Sequence, residues 1–209
     1  NCILLGASLV FYAWGEPVYV FLMIVSILVT YILGRMIGVY PKIGLTIGIA
    51  YHVLMLFIFK YSTFITSQIG GLFREEYVPK WDIALPIGIS FYSFQLMSYL
   101  FDVYYKRASV QKSILSLALY ATMFPQLIAG PIVRYNEIDK EIGSRVFDRN
   151  DFYEGTERFI YGLGKKVLLA DNLAYVVDII WSLDSRPGYV AWVGAICYTL
   201  QIYYDFSGY

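Results

Sequence analysis

The stretch "VYVFLMIVSILVTYIL", residues 18–33, contains no charged side chain in 16 consecutive positions. A second stretch, "IGLTIGIAYHVLMLFIF" at residues 43–59, is uncharged over 17 positions. A helix needs about 20 mostly apolar residues to cross a bilayer, with a lower limit near 17. With their uncharged flanks, both stretches reach this length. They predict two membrane-crossing helices.

The composition of the whole chain supports the same fold class. Hydrophobic residues make up 58% of the 209 positions, and only 15% are charged, whereas soluble domains carry about a quarter charged residues. We therefore predict an all-α, polytopic integral membrane protein. Its candidate spans are residues 2–14, 18–34, 43–60, 83–101, 113–130, 159–181 and 189–206.

The charged residues exclude one class of partner. The chain has 16 basic and 16 acidic side chains, so its net charge is zero. Nucleic-acid binding depends on clustered positive charge that displaces counterions, and we expect no nucleic-acid partner. No spacing typical of a metal site occurs either, and we expect no metal.

The orientation of the spans does not follow from the charges. The connections on the two sides of the predicted membrane carry similar numbers of Lys and Arg, so the positive-inside rule gives no answer. Some candidate segments are therefore expected not to cross. Residues 159–181 are the main suspect, since they contain Lys165, Lys166 and Asp171, and isolated charges at mid-bilayer cost at least about 2.5 kcal/mol each. We expect the connection 132–158 to face solvent and to contain a short amphipathic helix.

Polar side chains interrupt the apolar stretch 85–107. At helical spacing they could form a stripe that faces a cavity. They could also form hydrogen bonds between helices, as serines commonly do in membranes. These side chains are Ser90, Ser93, Gln95, Ser98 and Asp102.

A group of helix-breaking and polar residues follows the next apolar segment. Pro125, Gln126, Gly130 and Pro131 lie close together, and we predict that the helix ends at Gly130. Arg134 could cap the last carbonyl groups of that helix. It could also face the phosphates of a nucleotide-bearing substrate or lipid headgroups. The sequence leaves both roles open.

The last apolar segment carries an acidic residue. Gln201 and Asp205 are four positions apart and lie on one helical face, and Ser207-Gly208 is expected to break the helix. An intramembrane Asp is by default a candidate for function. The alternative is a structural ion pair with Lys165 or Lys166, and Asp171 could also pair with one of these lysines.

The single histidine, His52, lies in an apolar segment without a carboxylate nearby in the sequence. We interpret it as a buried neutral imidazole with one hydrogen bond. A direct functional role is the alternative, because intramembrane histidines are rare.

Four segments in this order resemble one family. They are "LPIGISFYSFQLMSYLFDVYYKR" at 85–107, "FPQLIAGPIVRYNEI" at 124–138, "GLGKKVLLADNLAYVVD" at 162–178 and "YTLQIYYDFSGY" at 198–209. Together they are similar to the membrane-bound O-acyltransferases, in the branch of the bacterial alginate O-acetyltransferases. The resemblance extends over nearly the whole chain.

The resemblance implies a fold and a reaction. Helices are expected to surround a central funnel in a thinned part of the membrane, where an acyl group passes from a thioester to a hydroxyl of an exported polysaccharide. Gln126, Arg134, Gln201 and Asp205 are the candidate residues of the cavity or substrate path. Pro125, Gly130, Pro131, Ser207 and Gly208 are expected to shape the backbone around it.

The resemblance also implies that the general base is a histidine beyond Tyr209, and His52 does not match its position. Because apolar runs begin at Asn1 and end near Tyr209, we expect residues 1–209 to be a partial domain, truncated at both ends and inactive by itself.

The implied setting is the inner membrane of a bacterial cell, crossed several times. Expected partners are membrane lipid and a polysaccharide acceptor or a periplasmic or extracellular acetyl-transferring protein. An acyl-carrier protein is a further candidate partner. No cofactor is expected to bind tightly; the donor would be acyl-CoA or an acyl-carrier thioester. Two other functions are the alternatives: a membrane transporter or channel, and a non-catalytic scaffold that relays acyl groups.

Overall fold

The computed structural model describes residues 1–62, 64, 84–127, 131–143 and 147–209. All the secondary-structure elements within these ranges are helical. The chain divides into two compact units, Asn1–Arg145 and Val146–Tyr209, and each unit is described by itself. The helical fold class is confirmed for the described residues, while the central funnel stays a prediction.

The described residues of unit 1 form seven α-helices. In chain order, α1 to α7 are Cys2–Gly15, Tyr19–Ile37, Pro41–Leu56, Ile89–Tyr104, Ile114–Thr122, Phe124–Leu127 and Tyr135–Gly143. A π-helical turn, Phe57–Tyr61, continues α3. Pro41 lies in the first turn of α3, where the missing N–H costs no hydrogen bond.

Small residues let the helices of unit 1 pack closely. Gly34 of α2 faces the ring of Tyr99 on α4, and a Cβ on Gly34 would lie 2.5 Å from the Tyr99 hydroxyl oxygen. Gly48 of α3 faces the side chain of Leu100 in the same way. Glycines at helix interfaces allow this approach in membrane proteins.

Several polar side chains are buried inside unit 1, while many apolar side chains lie on its surface. Ser26, Thr30 and His52 are fully buried. On α2, by contrast, Phe21 is 68% exposed and Ile32 is 62% exposed. Among the described residues, two helical stretches are long and apolar enough to cross a membrane, Tyr19–Ile37 and Pro41–Tyr61.

The segment predicted as a span at 113–130 is not one helix, and this expectation is wrong. Helix α5 ends at Thr122, and Met123 has an extended backbone before the single turn α6. Pro125 explains the break, since it has no N–H to donate and its ring would clash with the carbonyl group of Ala121 in a continuous helix. Gly130, the predicted helix end, lies outside the described residues.

After α6 the chain returns to the end of unit 1 from which α5 started. The Leu127 carbonyl lies beside Gly88, at the beginning of α4. By Tyr135 the chain is back beside Gln111, whose amide donates to the Tyr135 hydroxyl at 2.7 Å. The connections before α5 and after α6 therefore lie at the same end of unit 1. A single span at 113–130 would have placed these two connections on opposite sides of the membrane.

Helix α7 is the amphipathic helix expected within 132–158. Tyr135 and Ile142 are buried, and Glu137 and Glu141 are exposed. That expectation is confirmed.

The described residues of unit 2 form three α-helices, and a π-helical turn joins the first two. Helix α8 is Arg149–Gly164, the turn is Lys165–Ala170, α9 is Asp171–Ser182 and α10 is Gly188–Gly208. The Asp148 side chain caps α8 by accepting a hydrogen bond from the Asn150 N–H at 2.7 Å. The helical backbone is continuous from residue 149 to 182, so residues 159–181 are part of a longer helix. Whether this helix crosses a membrane stays a prediction.

Candidate functional site

One side of α4 forms an open pocket of about 440 Å³ in unit 1. The helix contributes mainly apolar and aromatic side chains, which are Phe94, Met97, Ser98, Phe101 and Asp102. Tyr105 and Arg107 follow the end of α4, and Arg134 completes the lining from the segment before α7. Arg134 therefore faces a pocket, as its predicted role in binding phosphates or lipid headgroups requires.

The backbone on both sides of Arg134 is held by buried side chains. The fully buried Tyr120 donates its hydroxyl proton to the carbonyl of Val133 at 2.8 Å. Asp102, only 4% exposed, accepts from the Asn136 N–H at 3.3 Å. That N–H lies in the first turn of α7, where a negative charge is favourable because the helix dipole is positive at this end. Arg134 thus projects from a fixed segment.

A cluster of three tyrosines supports this segment. The rings of Tyr99 and Tyr135 meet edge to face at 4.8 Å, and those of Tyr120 and Tyr135 at 5.1 Å. Burial raises the pKa of the Tyr135 hydroxyl, and its hydrogen bond to Asp139 raises it further. The hydroxyl therefore stays protonated at neutral pH and donates to Asp139 at 2.6 Å.

The two arginines of the pocket have no carboxylate partner among the described residues. The ion pairs that the described part of the chain contains all lie in unit 2. The guanidinium of Arg107 lies 5.6 Å from the centroid of the Tyr105 ring. Asp102 lines the same pocket, but its carboxylate binds the Asn136 N–H. The pocket therefore presents two cations that no acidic side chain neutralises directly.

Gln126 has a structural contact that the sequence did not predict. Its amide donates to the Tyr120 carbonyl at 3.1 Å, in the last turn of α5. That carbonyl loses its helical partner because the helix ends before Pro125. Gln126, rather than Arg134, thus caps the broken helix, and it does not line the pocket of Arg134. Its predicted place in a cavity remains untested.

Asp205 forms the ion pair that was one of its two predicted interpretations. The Lys166 Nζ atom lies 2.6 Å from Asp205 Oδ1 and 3.6 Å from Asp171 Oδ1. The Lys165 Nζ donates to the Ser207 carbonyl at 3.3 Å. Pairing of Asp205 and of Asp171 with a lysine is confirmed. These contacts connect the π-helical turn with α10.

Ser207 and Gly208 are the last two residues of α10, which ends at Gly208. A break of the helix at this point therefore stays a prediction. Gly208 packs directly against Gly162 of α8, where a Cβ on Gly162 would overlap with the Gly208 carbonyl oxygen. The absence of side chains at both positions permits this approach of two helices. Their role is therefore close packing.

Gln201 lies one turn before Asp205 on α10. Its side-chain oxygen is buried and has no hydrogen-bond partner among the described residues. Such an atom costs free energy unless a further group binds it. Gln201 therefore stays a candidate for the substrate path.

His52 is a fully buried imidazole with one hydrogen bond, and this expectation is confirmed. The Thr30 hydroxyl donates its only proton to the Ser26 carbonyl at 2.7 Å. His52 Nε2, 2.9 Å from the Thr30 oxygen, must then be the donor of that contact. Its Nδ1 has no partner among the described residues. In a neutral ring with the proton on Nε2, Nδ1 carries no hydrogen and is the acceptor nitrogen.

The predicted site residues fall into both units. Gln126 and Arg134 belong to unit 1, and Gln201 and Asp205 belong to unit 2. A cavity shared by all four stays a prediction. Sequence reasoning missed Arg107 and Tyr120, and the only signal for Arg107 was its place directly after an apolar helix.

Curated proteins similar to this chain are polysaccharide-modifying enzymes by name. The probable alginate O-acetylase of Azotobacter vinelandii is 36% identical over 218 residues, which cover 100% of this chain and 44% of that protein. The probable alginate O-acetylase of Pseudomonas aeruginosa is 35% identical to this chain, and the matched region covers 42% of that protein. The peptidoglycan O-acetyltransferase of Helicobacter pylori is 29% identical over 97% of this chain and 45% of its own length.

The chain spans less than half the length of these relatives. No family model and no solved structure matches it. Identity of 35–36% nevertheless extends over the whole chain. The chain belongs to the membrane-bound O-acyltransferase family.

Proposed function

We propose that the whole protein is a membrane O-acyltransferase that moves an acetyl group from a thioester to hydroxyls of an exported polysaccharide. The observation that carries this proposal is the similarity over the whole chain to proteins named for O-acetyl transfer to alginate. A more distant relative is named for transfer to peptidoglycan, a second glycan. The reaction is therefore better supported than the identity of the sugar.

The distribution of side chains supports a multi-pass location in the bacterial inner membrane. Phe21, Val25, Leu28 and Ile32 recur along one face of α2, and all four are exposed. An exposed apolar stripe of this kind would be unfavourable in water and is favourable against lipid. Polar Ser26 and Thr30 on the same helix are buried instead.

Basic residues support an orientation of unit 1. The Tyr31 hydroxyl donates to the Lys112 carbonyl at 2.8 Å, so the end of α2 lies beside the connection from α4 to α5. Helix α2 ends and α3 begins at this end of unit 1, where the basic residues are Arg35, Lys42, Lys106, Arg107 and Lys112. By the positive-inside rule, this end faces the cytoplasm.

The chemistry requires a general base and a thioester donor. The base takes the proton from the acceptor hydroxyl, the oxygen attacks the thioester carbonyl, and the thiolate leaves. We assign the base to a histidine outside residues 1–209, because His52 is buried and its Nε2 is bound to Thr30. The donor is acyl-CoA or an acyl-carrier thioester. The acceptor is the polysaccharide itself or a periplasmic or extracellular protein that passes the acetyl group on.

Membranes that contain the whole protein provide the test. They are incubated with labelled acetyl-CoA, or with a labelled acetyl-carrier protein, and with alginate or peptidoglycan fragments. We expect alkali-labile acetate on one of the glycans, and less of it with Asp205→Ala at equal protein level. Absence of labelled glycan with both donors and both acceptors, at a normal protein level, contradicts the proposal. Label on the protein alone would favour an acyl relay.

A further inference from the structure

We infer that Arg107 and Arg134 form a phosphate-binding site in the pocket beside α4. The inference rests on the proposed membrane location and acyl transfer, since these supply the phosphate-bearing molecules. It goes further by assigning a class of ligand to two residues of unit 1. The charges of Lys166 and Asp205, by contrast, are paired with each other.

The charges of the pocket select an anion. Arg107 and Arg134 both line it, and no described carboxylate forms an ion pair with either. The one acidic residue in the lining, Asp102, accepts from the Asn136 N–H. Two guanidinium groups that line one pocket attract an anion with several hydrogen-bond acceptors. Phosphate fits, because its oxygens can accept two parallel hydrogen bonds from the planar N–H donors of an arginine.

The pocket is built before a ligand arrives. Tyr120 and Asp102 fix the chain on the two sides of Arg134. Arg107 lies against the Tyr105 ring. Binding therefore requires little ordering of the backbone, and this favours affinity.

The size and walls of the pocket indicate a ligand larger than inorganic phosphate. Its volume of about 440 Å³ lies within the range of small-molecule sites. Phe94 and Phe101, two turns apart on α4, provide apolar contact in the same pocket. The ligand is thus a phosphate ester with an organic body. A phospholipid headgroup and the nucleotide part of a thioester donor both have this chemistry.

Binding measurements on the whole protein test the inference without any acetyl transfer. The protein is placed in phosphatidylcholine nanodiscs. Phosphatidylglycerol retention is measured by native mass spectrometry, and coenzyme A binding by calorimetry. The test variant is Arg107→Gln with Arg134→Gln. The matched control is Lys42→Gln with Lys112→Gln, which removes two positive charges at the same end of unit 1 from exposed residues outside the pocket lining.

We expect one of the two probes to bind, and its dissociation constant to rise about tenfold or more in the arginine variant. The lysine control should stay within about twofold of the unchanged protein, since neither lysine lines the pocket. Phosphatidylglycerol preference assigns the site to lipid, and coenzyme A binding assigns it to a soluble donor. Either result supports a phosphate site.

The inference is overturned if neither probe binds, or if both double variants weaken binding equally. Thermal unfolding of each variant shows whether it is folded. If the glutamine variant is not, Arg107→Lys with Arg134→Lys replaces it. That variant keeps the charge but lacks the fork, so an affinity equal to that of the unchanged protein would again overturn the inference. Because no glycan acceptor is present, a failure of the proposed acetyl transfer would leave this result intact.

Discussion

The Lys166 ammonium lies 2.6 Å from the Asp205 carboxylate and joins the π-helical turn of unit 2 to helix α10. The same ammonium also reaches Asp171 at 3.6 Å. π-Helical turns are rare and often occur at functional sites. Here the turn contains Lys166, and one lysine connects two helical elements of unit 2.

A double-mutant cycle of Lys166→Met and Asp205→Asn measures this ion pair. Each single variant should lower the melting temperature of the purified whole protein. The side chains are 40% and 33% exposed, so solvent screens their attraction. We therefore expect a coupling free energy of only about 0.5–1 kcal/mol. A coupling of zero would mean that the contact does not stabilise unit 2.

Two glycines of α8 give a matched pair of alanine variants. A Cβ on Gly162 would overlap with the Gly208 carbonyl oxygen, whereas nothing lies within 4 Å of a Cβ on Gly164. Gly162→Ala should destabilise unit 2 by about 1–3 kcal/mol, because backbone atoms must move apart. Gly164→Ala should be neutral or stabilising by up to about 1 kcal/mol, from the higher helix propensity of alanine.

Thermal unfolding and limited proteolysis of both glycine variants check this prediction. Preferential cleavage in residues 147–209 of Gly162→Ala is expected. Equal melting temperatures for the two variants would show that α8 and α10 do not approach each other at Gly208.

Gln126→Leu tests whether this glutamine has a structural role. The substitution removes the donor to the Tyr120 carbonyl and should cost about 0.5–1.5 kcal/mol of stability. Acetyl transfer should then fall only in proportion to the amount of folded protein. A large loss of transfer with an unchanged melting temperature would instead place Gln126 in the substrate path.

The parts of the fold that could be predicted depend on local patterns. Uncharged runs marked α2 and α3 because charge is unfavourable throughout a span, whatever the rest of the chain does. The ion pair of Asp205 was foreseeable for a related reason: a carboxylate in an apolar segment needs a partner, and Lys166 was among the few available.

The return of the chain after α6 could not be predicted in this way. The length of an apolar segment does not distinguish a helix that crosses from one that breaks and returns, and both bury the same residues. Leu117, Leu119 and Tyr120 are fully buried in α5, which is why this segment is as apolar as a span. The pocket of Arg107 and Arg134 depends on this return, so no local pattern indicates that the two arginines are neighbours.

Tyr120→Phe tests the support of the segment that carries Arg134. Phenylalanine fills the same buried space but leaves the Val133 carbonyl without its donor at 2.8 Å. Loss of this partly buried hydrogen bond should cost about 0.5–1.5 kcal/mol, so the melting temperature of the whole protein should fall. Tyr40→Phe is the control, since Tyr40 is 60% exposed and its loss of a hydroxyl should change stability by less than about 0.5 kcal/mol. Hydrogen exchange of the Tyr135 and Asn136 amides should accelerate in Tyr120→Phe only, because the segment around Arg134 loses one of the two hydrogen bonds that hold it. If the exchange of these two amides stays unchanged while the protein is destabilised, Tyr120 supports the core of unit 1 and not the segment that carries Arg134.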